Sequence, residues 1–454
     1  MANSITADLT RGRLWKQILV FSVPLMASNM LQVLFNMADI AVIGRFAGTL
    51  PLGSVGSTTI LVTLFTGFLI GMGGGVNALV ARYFGAEDEK SLSETVHTSL
   101  ILCLLLGLII TVIGLIFSPA ILNLLNTKPE LIDGAILYLR IYILGAPALA
   151  VFNFGNAVFS AAGNTRKPLY YLLAAGIINI VLNLFFVIVV GMDVEGVALA
   201  SIISQYISAG LVLRALFKTK DMYALSVKKL RITKSKAASI LAVGIPSGFQ
   251  NAIFQIANLF IQSGVNSFSA VMVSGNSAAA NLDPLIYENM AAFYTACSSF
   301  IGQNYGAGKK DRIIKSYRIC LGFSFFTGLI LGLAAFAAGP TLLSMFTDDP
   351  LVVEAGMKRL SIMGLCYGFS CMSDNALAGS RGLGKCTVPT IILIMGSCVF
   401  RIIWVYTIFA YYHTIESLYL LYIFSWTITG VFEMIYFRFA YRQQTSIFKV
   451  AEAV

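Results

Sequence analysis

The sequence predicts an all-α integral membrane protein, with twelve transmembrane helices arranged as two pseudo-symmetric six-helix bundles. Three observations lead to this fold class. The 454-residue chain is 57% hydrophobic and only 11% charged, with a mean hydropathy of +0.82, whereas a soluble domain carries about 25% charged residues. Twelve apolar segments are each close to the ~20 residues that cross a bilayer as a helix. The second half of the chain also repeats features of the first half.

The apolar segments follow one another with short connections. Gly, Pro and charged residues punctuate these connections, and none is long enough to form a soluble domain. The predicted spans lie near 15–43, 54–80, 95–117, 136–159, 168–190, 195–217, 238–262, 276–303, 313–338, 358–379, 387–411 and 417–440. The basic segment 219–236 is the longest cytoplasmic connection, so it separates an N-terminal bundle over 1–218 from a C-terminal bundle over 237–454.

The distribution of Lys and Arg predicts the orientation of the chain. If the N-terminus is inside, the inner segments hold 25 of these residues and the outer segments hold five, while Arg401 lies inside a span. Such an excess marks the cytoplasmic side. We therefore expect a multi-pass protein of the cell inner (plasma) membrane with both termini in the cytoplasm. The net charge of +10 is then explained by basic loops that face anionic lipid, without a nucleic acid partner.

An internal repeat relates the two halves. Pro24 and Asn36 in the first span match Pro246 and Asn258 in the seventh, both at the same displacement along the chain. The second and eighth spans end in the similar segments RYFGAEDEK and QNYGAGKKD. With six spans in each half, both halves begin and end inside. The repeat is therefore parallel, with a pseudo-two-fold axis along the membrane normal.

The first span carries a polar face in an otherwise apolar sequence. Asn29, Gln32, Asn36 and Asp39 are spaced by three, four and three residues, so they share one face of a helix. A carboxylate at the centre of a membrane helix costs about 2.5–3.5 kcal/mol on insertion scales. We therefore expect this face to line protein or a water-filled cavity. The alternative is that Asp39 lies near the outer interface and is simply solvated.

The seventh span repeats this polar face with amides only. Asn251, Gln255, Asn258 and Gln262 are spaced by four, three and four residues. Symmetric polar faces on symmetric helices favour a shared cleft. The alternative is that these amides bond to neighbouring helices, as polar residues do in membrane bundles.

These features resemble the MATE (multidrug and toxic compound extrusion) family of antiporters, in its prokaryotic NorM- and DinF-like members. The resemblance covers essentially the whole chain. It rests on an ordered set of matches: VPLMASNMLQVLFNMAD in span one, FGA and GQNYGAG at the ends of spans two and eight, NIVLN in span five and GVALASIISQ in span six. It implies two six-helix bundles that form a V around a central cavity.

The same resemblance implies a secondary active multidrug efflux transporter. Such a protein exports organic, mostly cationic compounds in exchange for Na⁺ or H⁺ by alternating access. It needs no cofactor besides the coupling ion. Its partners would be small-molecule drugs and membrane lipid, and we expect a monomer.

The resemblance carries a cation site over to four positions. The family's first-span Asp resembles Asp39, its fifth-span pair resembles Asn179 and Asn183, and its sixth-span Thr resembles Ser201. At about 1.5 Å per residue, Asn183 and Ser201 fall in the outer half of the bilayer, as Asp39 does. One carboxylate with amide and hydroxyl oxygens suits Na⁺ at Asp39 or a protonated Asp39. Asn183 replaces an acid of the family, so the identity of the coupling ion stays open.

The remaining intramembrane polar residues are candidates for a substrate cavity. The second half lacks the Glu that other family members have in span seven and the aligned Asp that they have in span ten. It has its own acids, Glu288 and Asp374, and an intramembrane arginine, Arg401. These residues either take part in ion coupling or form a structural ion pair. Met and aromatic candidates are alternatively packing residues. The candidate set is Asn29, Gln32, Asn36, Met72, Asn251, Gln255, Asn258, Glu288, Phe293, Asp374 and Arg401.

The sequence argues against an enzyme. It shows no paired catalytic acids and no nucleophile constellation, and GMGGGVN lacks the Lys-Ser/Thr of a P-loop. We expect that segment to serve close helix packing instead. The nearest alternative function is a flippase of lipid-linked sugars, or of another amphipathic substrate, from the same superfamily. A passive channel fits less well, because six-plus-six pseudo-symmetry suits two halves that rock for alternating access.

Overall fold

The chain is helical throughout the part that the structure describes. The computed structural model describes residues 8–125 and 127–451, without the side chains of residues 252, 255, 256 and 447–451, and this part contains no β-strand. Each predicted span coincides with one helix or a run of consecutive helices. Among the described residues, eight helices are long and apolar enough to cross a membrane, or nine if the pair Pro129–Ile143 and Ala146–Ala161, bent by 46°, is one span. The predicted all-α membrane fold is therefore confirmed.

The described residues form two compact units, and the first contains Ala27–Ala252. Its helices are α1 (Leu14–Val42) from residue 27 onward, α2 (Thr49–Gly85), α3 (Glu89–Leu124), α4 (Pro129–Ile143), α5 (Ala146–Ala161), α6 (Arg166–Leu184), α7 (Val194–Lys218) and the first part of α8 (Lys234–Val265). A single 3₁₀ turn, Val227–Lys229, lies in the basic linker between α7 and α8.

The second unit combines Leu9–Met26 with the chain from Ile253 onward. After the rest of α8, its helices are α9 (Ala270–Ala280), α10 (Asp283–Gly306), α11 (Lys310–Ala337), α12 (Gly339–Ser344), α13 (Pro350–Gly382), α14 (Thr387–Ile394), α15 (Phe400–Trp404), α16 (Ala410–Tyr412) and α17 (Ile415–Ala451). The π-helical turns Met395–Val399 and Val405–Phe409 join α14, α15 and α16 into one continuous span.

Helices α1 and α8 are each shared between the two units. The division falls after Met26 in α1 and after Ala252 in α8. Pro24 and Pro246 lie inside these helices, just before each division, and proline removes one backbone hydrogen bond of a helix. The sequence predicted a division at 219–236. In the structure, the beginning of α1 belongs instead to the second unit, and the beginning of α8 belongs to the first unit.

Glycines allow α2 and the first part of α8 to pack backbone against backbone. A Cβ at Gly71 would lie 2.5 Å from backbone atoms of Ser247 and Gly248, and one at Gly75 would lie 2.8 Å from the nitrogen of Gly244. On each helix the two glycines are four residues apart, so they share a face. This is the small-xxx-small contact of membrane helices. The packing role predicted for GMGGGVN is confirmed.

Candidate cation site

The first unit brings the four predicted cation-site residues together. Asn183 Nδ2 donates a hydrogen bond to Asp39 Oδ1, and Ser201 Oγ donates to Asp39 Oδ2 at 3.4 Å. Asn183 Nδ2 also lies 3.3 Å from Asn179 Oδ1. The amides and the hydroxyl group are buried, while Asp39 is half-buried. One carboxylate from α1 thus lies among neutral polar groups from α6 and α7.

Gly176 explains how α1 comes close enough to α6. A Cβ at Gly176 would overlap the ring of Phe35, so the ring occupies the space that a side chain would need. Asp39 follows Phe35 by one helical turn, and Asn183 follows Gly176 by two. The ring contact therefore sets the two helices at the separation that the Asp39–Asn183 hydrogen bond requires.

An apolar cluster lies one helical turn beyond the polar layer. Each member is three or four residues from Asp39, Asn183 or Ser201 along the same chain segment, on the predicted outer side. The buried members of this outer apolar cluster are Val42, Ile43, Val187 and Val197. The cluster thus lies on the side of the polar layer towards which α1 and α6 end.

Two π-helical turns carry part of this cluster. Ile43–Ala47 continues α1 and Phe185–Val189 continues α6, so each turn starts within four residues of Asp39 or Asn183. π-helical turns are rare and occur frequently at functional sites. Nothing in the sequence pattern marked these turns in advance, because the apolar residues in them also fit a regular helix.

Two tyrosines of α4 near Asp39 were missed by the sequence reasoning. The rings of Tyr138 and Tyr142 stack with centroids 5.7 Å apart, and both lie within electrostatic range of Asp39. They are four residues apart and therefore share one helix face. That spacing was the only available signal, and it does not distinguish a site from packing.

The remaining residues of the first polar face stay accessible in the first unit. Gln32 and Asn36 are exposed and Asn29 is half-buried. Gln32 and Asn36 therefore remain candidates for contact with a substrate, and they lie on the same helix face as Asp39.

The residues of the second polar face, on α8, differ in their contacts and burial. Asn251 Nδ2 donates to the carbonyl oxygen of Gly67 at 2.9 Å, so this amide joins α8 to α2. This is the helix-bonding role that the sequence left open as an alternative. Asn258 is half-buried. The side chain of Gln255 lies outside the described residues.

Met72 and Phe293, which were candidates for the substrate cavity, are packing residues in this structure. Met72 is 1% exposed, and its sulfur lies 2.6 Å from where a Cβ of Gly244 would be. Phe293 is 2% exposed and packs on Phe323 with ring centroids 5.7 Å apart. Both follow the packing alternative rather than the cavity hypothesis.

Arg401 is fully buried in the second unit, and its contacts are aromatic and hydroxyl groups. Its Nε donates to Ser425 Oγ at 3.0 Å, and its guanidinium carbon lies 4.9 Å from the ring centroids of Phe254 and Tyr422. Within the part of the chain that the structure describes, no carboxylate oxygen lies within 4.0 Å of it. The predicted alternative of an ion pair with Glu288 or Asp374 is therefore wrong. Cation–π contacts stabilise the charge instead.

The two acids of the second unit lie near a shared tyrosine. Tyr287 Oη donates to Asp374 Oδ2 at 3.2 Å, and Tyr287 precedes Glu288 on α10. Both acids are half-buried. Within the second unit, Tyr287 thus joins α10 to Asp374 of α13.

Arg359 forms a buried ion pair that the sequence reasoning missed. Its Nη2 lies 2.6 Å from Asp283 Oδ2, its Nη1 donates to Asn276 Oδ1 at 3.0 Å, and Tyr367 Oη also donates to Asp283. The sequence placed Arg359 on the outer side, near the beginning of a span. Helix α13 in fact begins at Pro350, so Arg359 lies more than two turns inside it and is only 4% exposed.

Comparison with known families confirms the repeat and shows its asymmetry. The MatE family profile matches residues 24–185 and again residues 246–407. The first residues of the two matches are separated by the same number of positions as the last residues, and this is also the separation between Pro24 and Pro246. Asp39 lies three residues after Asn36, which matches Asn258 at this displacement, so Asp39 corresponds to Ile261, which is buried among apolar side chains. The second unit therefore has no carboxylate at the position of Asp39.

Known proteins resemble the chain over most of its length. The probable multidrug resistance protein YpnP of Bacillus subtilis is 29% identical over 80% of this chain and 81% of its own length. The FAD transporter of Shewanella oneidensis is 26% identical over 77% and 78%. A MOP superfamily transporter from Pyrococcus furiosus shares the fold, with a TM-score of 0.91 at 22% identity over 98% of this chain and 99% of that one. Because the two MatE matches together cover most of the sequence, the chain belongs to the MatE family.

Proposed function

We propose that the protein is a secondary active transporter that exports organic, mostly cationic compounds in exchange for Na⁺ or H⁺. Membership of the MatE family supports the transport of small organic compounds, and the relative YpnP is named a probable multidrug resistance protein. The observation that carries ion coupling is the contact of Asp39 with Asn183 and Ser201. It combines one negative charge with neutral oxygen atoms in a largely buried layer.

The side-chain oxygen of Asn183 supports the proposal that a cation or a proton binds at this layer. Asn183 Oδ1 is buried and has no hydrogen-bond partner among the described residues. The two ends of an amide are nearly equivalent in shape but differ in whether they donate or accept a hydrogen bond. Turning the amide would bring Oδ1 towards the carboxylate of Asp39. That arrangement is favourable only if Asp39 is protonated or a cation lies between the two oxygens.

A single carboxylate provides a simple switch for antiport. When Asp39 binds Na⁺ or H⁺, its charge is neutralised, and the relative stability of the two access states changes if they bind the ion with different affinity. We infer that the outer apolar cluster limits the access of water from one side of the layer, which would strengthen the electrostatic interaction of Asp39 with the ion.

The same proposal includes the location of the protein. We place it as a monomer in the cell inner membrane with both termini in the cytoplasm. The support is the bias of 25 basic residues on one side against five on the other, together with helices long and apolar enough to cross a membrane.

Arg401 favours a second candidate, the movement of lipid-linked sugars or another amphipathic substrate with an anionic group. Its Nη1 and Nη2 are buried and have no hydrogen-bond partner among the described residues. A guanidinium group binds phosphate or carboxylate through two parallel hydrogen bonds. The relative from Shewanella oneidensis is named an FAD transporter, and FAD carries phosphate groups.

Proteoliposomes that contain the purified protein distinguish these functions. We expect ethidium export driven by a Na⁺ or a H⁺ gradient in the wild type. Asp39→Asn should insert and fold, because it removes a charge and keeps the side-chain shape, but it should lose gradient-driven export. Asp374→Asn, which removes an acid outside the layer, is the comparison variant: we expect it to change which drugs are exported but to keep the ion dependence of export.

Two results would contradict the proposal. Wild-type rates of gradient-driven export in Asp39→Asn would remove this residue from coupling. Movement of a lipid-linked sugar without any ion-driven export of ethidium would favour the flippase.

A further inference from the structure

A groove with basic residues lies on the second unit where α1 begins. Its cavity volume is about 450 Å³, within the roughly 300–1,000 Å³ of ligand pockets. Apolar parts of Leu14, Trp15 and Ile319 form much of its wall. Its cationic residues come from α11, and they are Arg312, Lys315 and Arg318. We call this feature the basic groove.

The three cations of the basic groove differ in how firmly they are held. They follow one another by three residues and therefore share one face of α11. Arg312 is fixed by hydrogen bonds to the carbonyl oxygens of Leu9, Arg11 and Gly12. Lys315 and Arg318 are exposed, and neither pairs with a carboxylate among the described residues. The groove thus has one positioned cation and two that are available to a ligand.

The repeat supplies an internal comparison for this groove. Gly85 matches Gly306, so Lys315 and Arg318 correspond to Glu94 and His97 on α3 of the first unit. There the protein's own linker covers the equivalent face: Arg231 pairs with Glu94 at 3.3 Å, and the backbone of Ser226 donates to His97 Nε2 at 2.9 Å. The second unit carries cations instead, and its described residues leave them uncovered.

We propose that the basic groove binds the headgroup of an anionic phospholipid. The predicted orientation places the beginnings of α1 and α11 at the cytoplasmic surface, where anionic lipids attract Lys and Arg. Trp15 is 52% exposed, and Trp is enriched at the level of the headgroups. The cations suit the phosphate diester, and the apolar wall suits the glycerol backbone and the first methylene groups. Inorganic phosphate shares the anionic chemistry but would gain nothing from the apolar wall.

A bound lipid would act on the helix that the two units share. Trp15 and Leu14 belong to the segment of α1 in the second unit, while Lys315 and Arg318 belong to α11. A phospholipid that contacts both would hold the beginning of α1 against α11. Since a ligand that binds only the folded state stabilises that state, anionic lipid should raise the midpoint of thermal unfolding.

Native mass spectrometry of the detergent-purified full chain tests this proposal directly. Phosphatidylglycerol and phosphatidylcholine are titrated against the wild type, against Lys315→Gln/Arg318→Gln, and against Lys228→Gln/Lys229→Gln. The last variant is a matched control, because it removes two exposed basic charges of the cytoplasmic linker. Each basic side chain near an anionic headgroup contributes a factor of about five in affinity. We therefore expect phosphatidylglycerol to bind about 25-fold more weakly to the groove variant and nearly unchanged to the control.

Three results would overturn the proposal. Equal weakening in both double variants would show diffuse surface electrostatics. Equal binding of phosphatidylcholine by the wild type would show that the headgroup charge is irrelevant. Displacement of phosphatidylglycerol by millimolar inorganic phosphate would indicate a small-anion site.

Discussion

Replacement of Gly71 by alanine should loosen the first unit. The added Cβ would lie 2.5 Å from backbone atoms of Ser247 and Gly248, whereas carbon atoms make favourable contacts at about 3.5–4.0 Å. Backbone atoms cannot rotate away as a flexible side chain could, so α2 and α8 must separate by about 1 Å. Overpacking of this kind costs about 1–3 kcal/mol, and the better helix propensity of alanine returns about 0.5–1 kcal/mol.

Gly56→Ala is the matched control on the same helix. No atom lies within 4 Å of the Cβ position at Gly56, so this variant gains the helix propensity without the clash. The difference in the free energy of unfolding between the two variants should therefore be about 1–3 kcal/mol. All seven cysteines are buried and none of them forms a disulfide bond in the described part of the chain, so a thiol-reactive dye reports unfolding on heating in detergent. We expect the midpoint of Gly71→Ala to lie several degrees below that of Gly56→Ala.

Equal midpoints for the two variants would refute the reasoning. They would mean that α2 and α8 do not approach as closely as the glycines allow. A lower midpoint for Gly56→Ala would also refute it, because that position offers open space and no clash.

The remaining predictions concern topology, the ion site and the buried ion pair. Lys229→Cys on a cysteine-free background should be labelled only from the cytoplasmic side, and access from outside would contradict the topology. Asn183→Ala and Ser201→Ala should shift the ion concentration that half-saturates export, with little change in drug affinity, because they remove uncharged oxygen groups around the ion. Asp374→Asn should instead change which drugs are exported, and if it alone moved the ion dependence, the ion site would lie in the second unit. Arg359→Met should lower the free energy of unfolding by about 2–4 kcal/mol, because Asp283 stays partly buried without a counter-charge. Thermal or denaturant unfolding measures this change. A double variant that lacks both Arg359 and Asp283 should lose less of the free energy of unfolding than Arg359→Met does.

The sequence by itself determined the fold class and the repeat, and the family resemblance indicated which residues form the polar layer around Asp39. Hydropathy identifies membrane helices because a bilayer demands about 20 consecutive apolar residues. The displacement between the two halves could be read from Pro24 and Pro246, and the MatE matches reproduce it. Asp39, Asn183 and Ser201 could be placed at one depth because every helix rises by the same distance per residue, about 1.5 Å. The hydropathy, the repeat and the depth of these residues are all consequences of local chain geometry.

Only the tertiary structure decided which side chains meet. Both Arg359 and Arg401 are buried, yet one pairs with a carboxylate and the other lies between aromatic rings. The spacing of residues along one helix does not contain this difference, because it depends on which neighbouring helix faces the arginine and how closely. That approach is set by contacts such as Phe35 against Gly176, where a missing side chain on one helix admits a ring from another. Met72 packs between helices rather than lining a cavity for the same reason, because Gly244 has no side chain and leaves room for it.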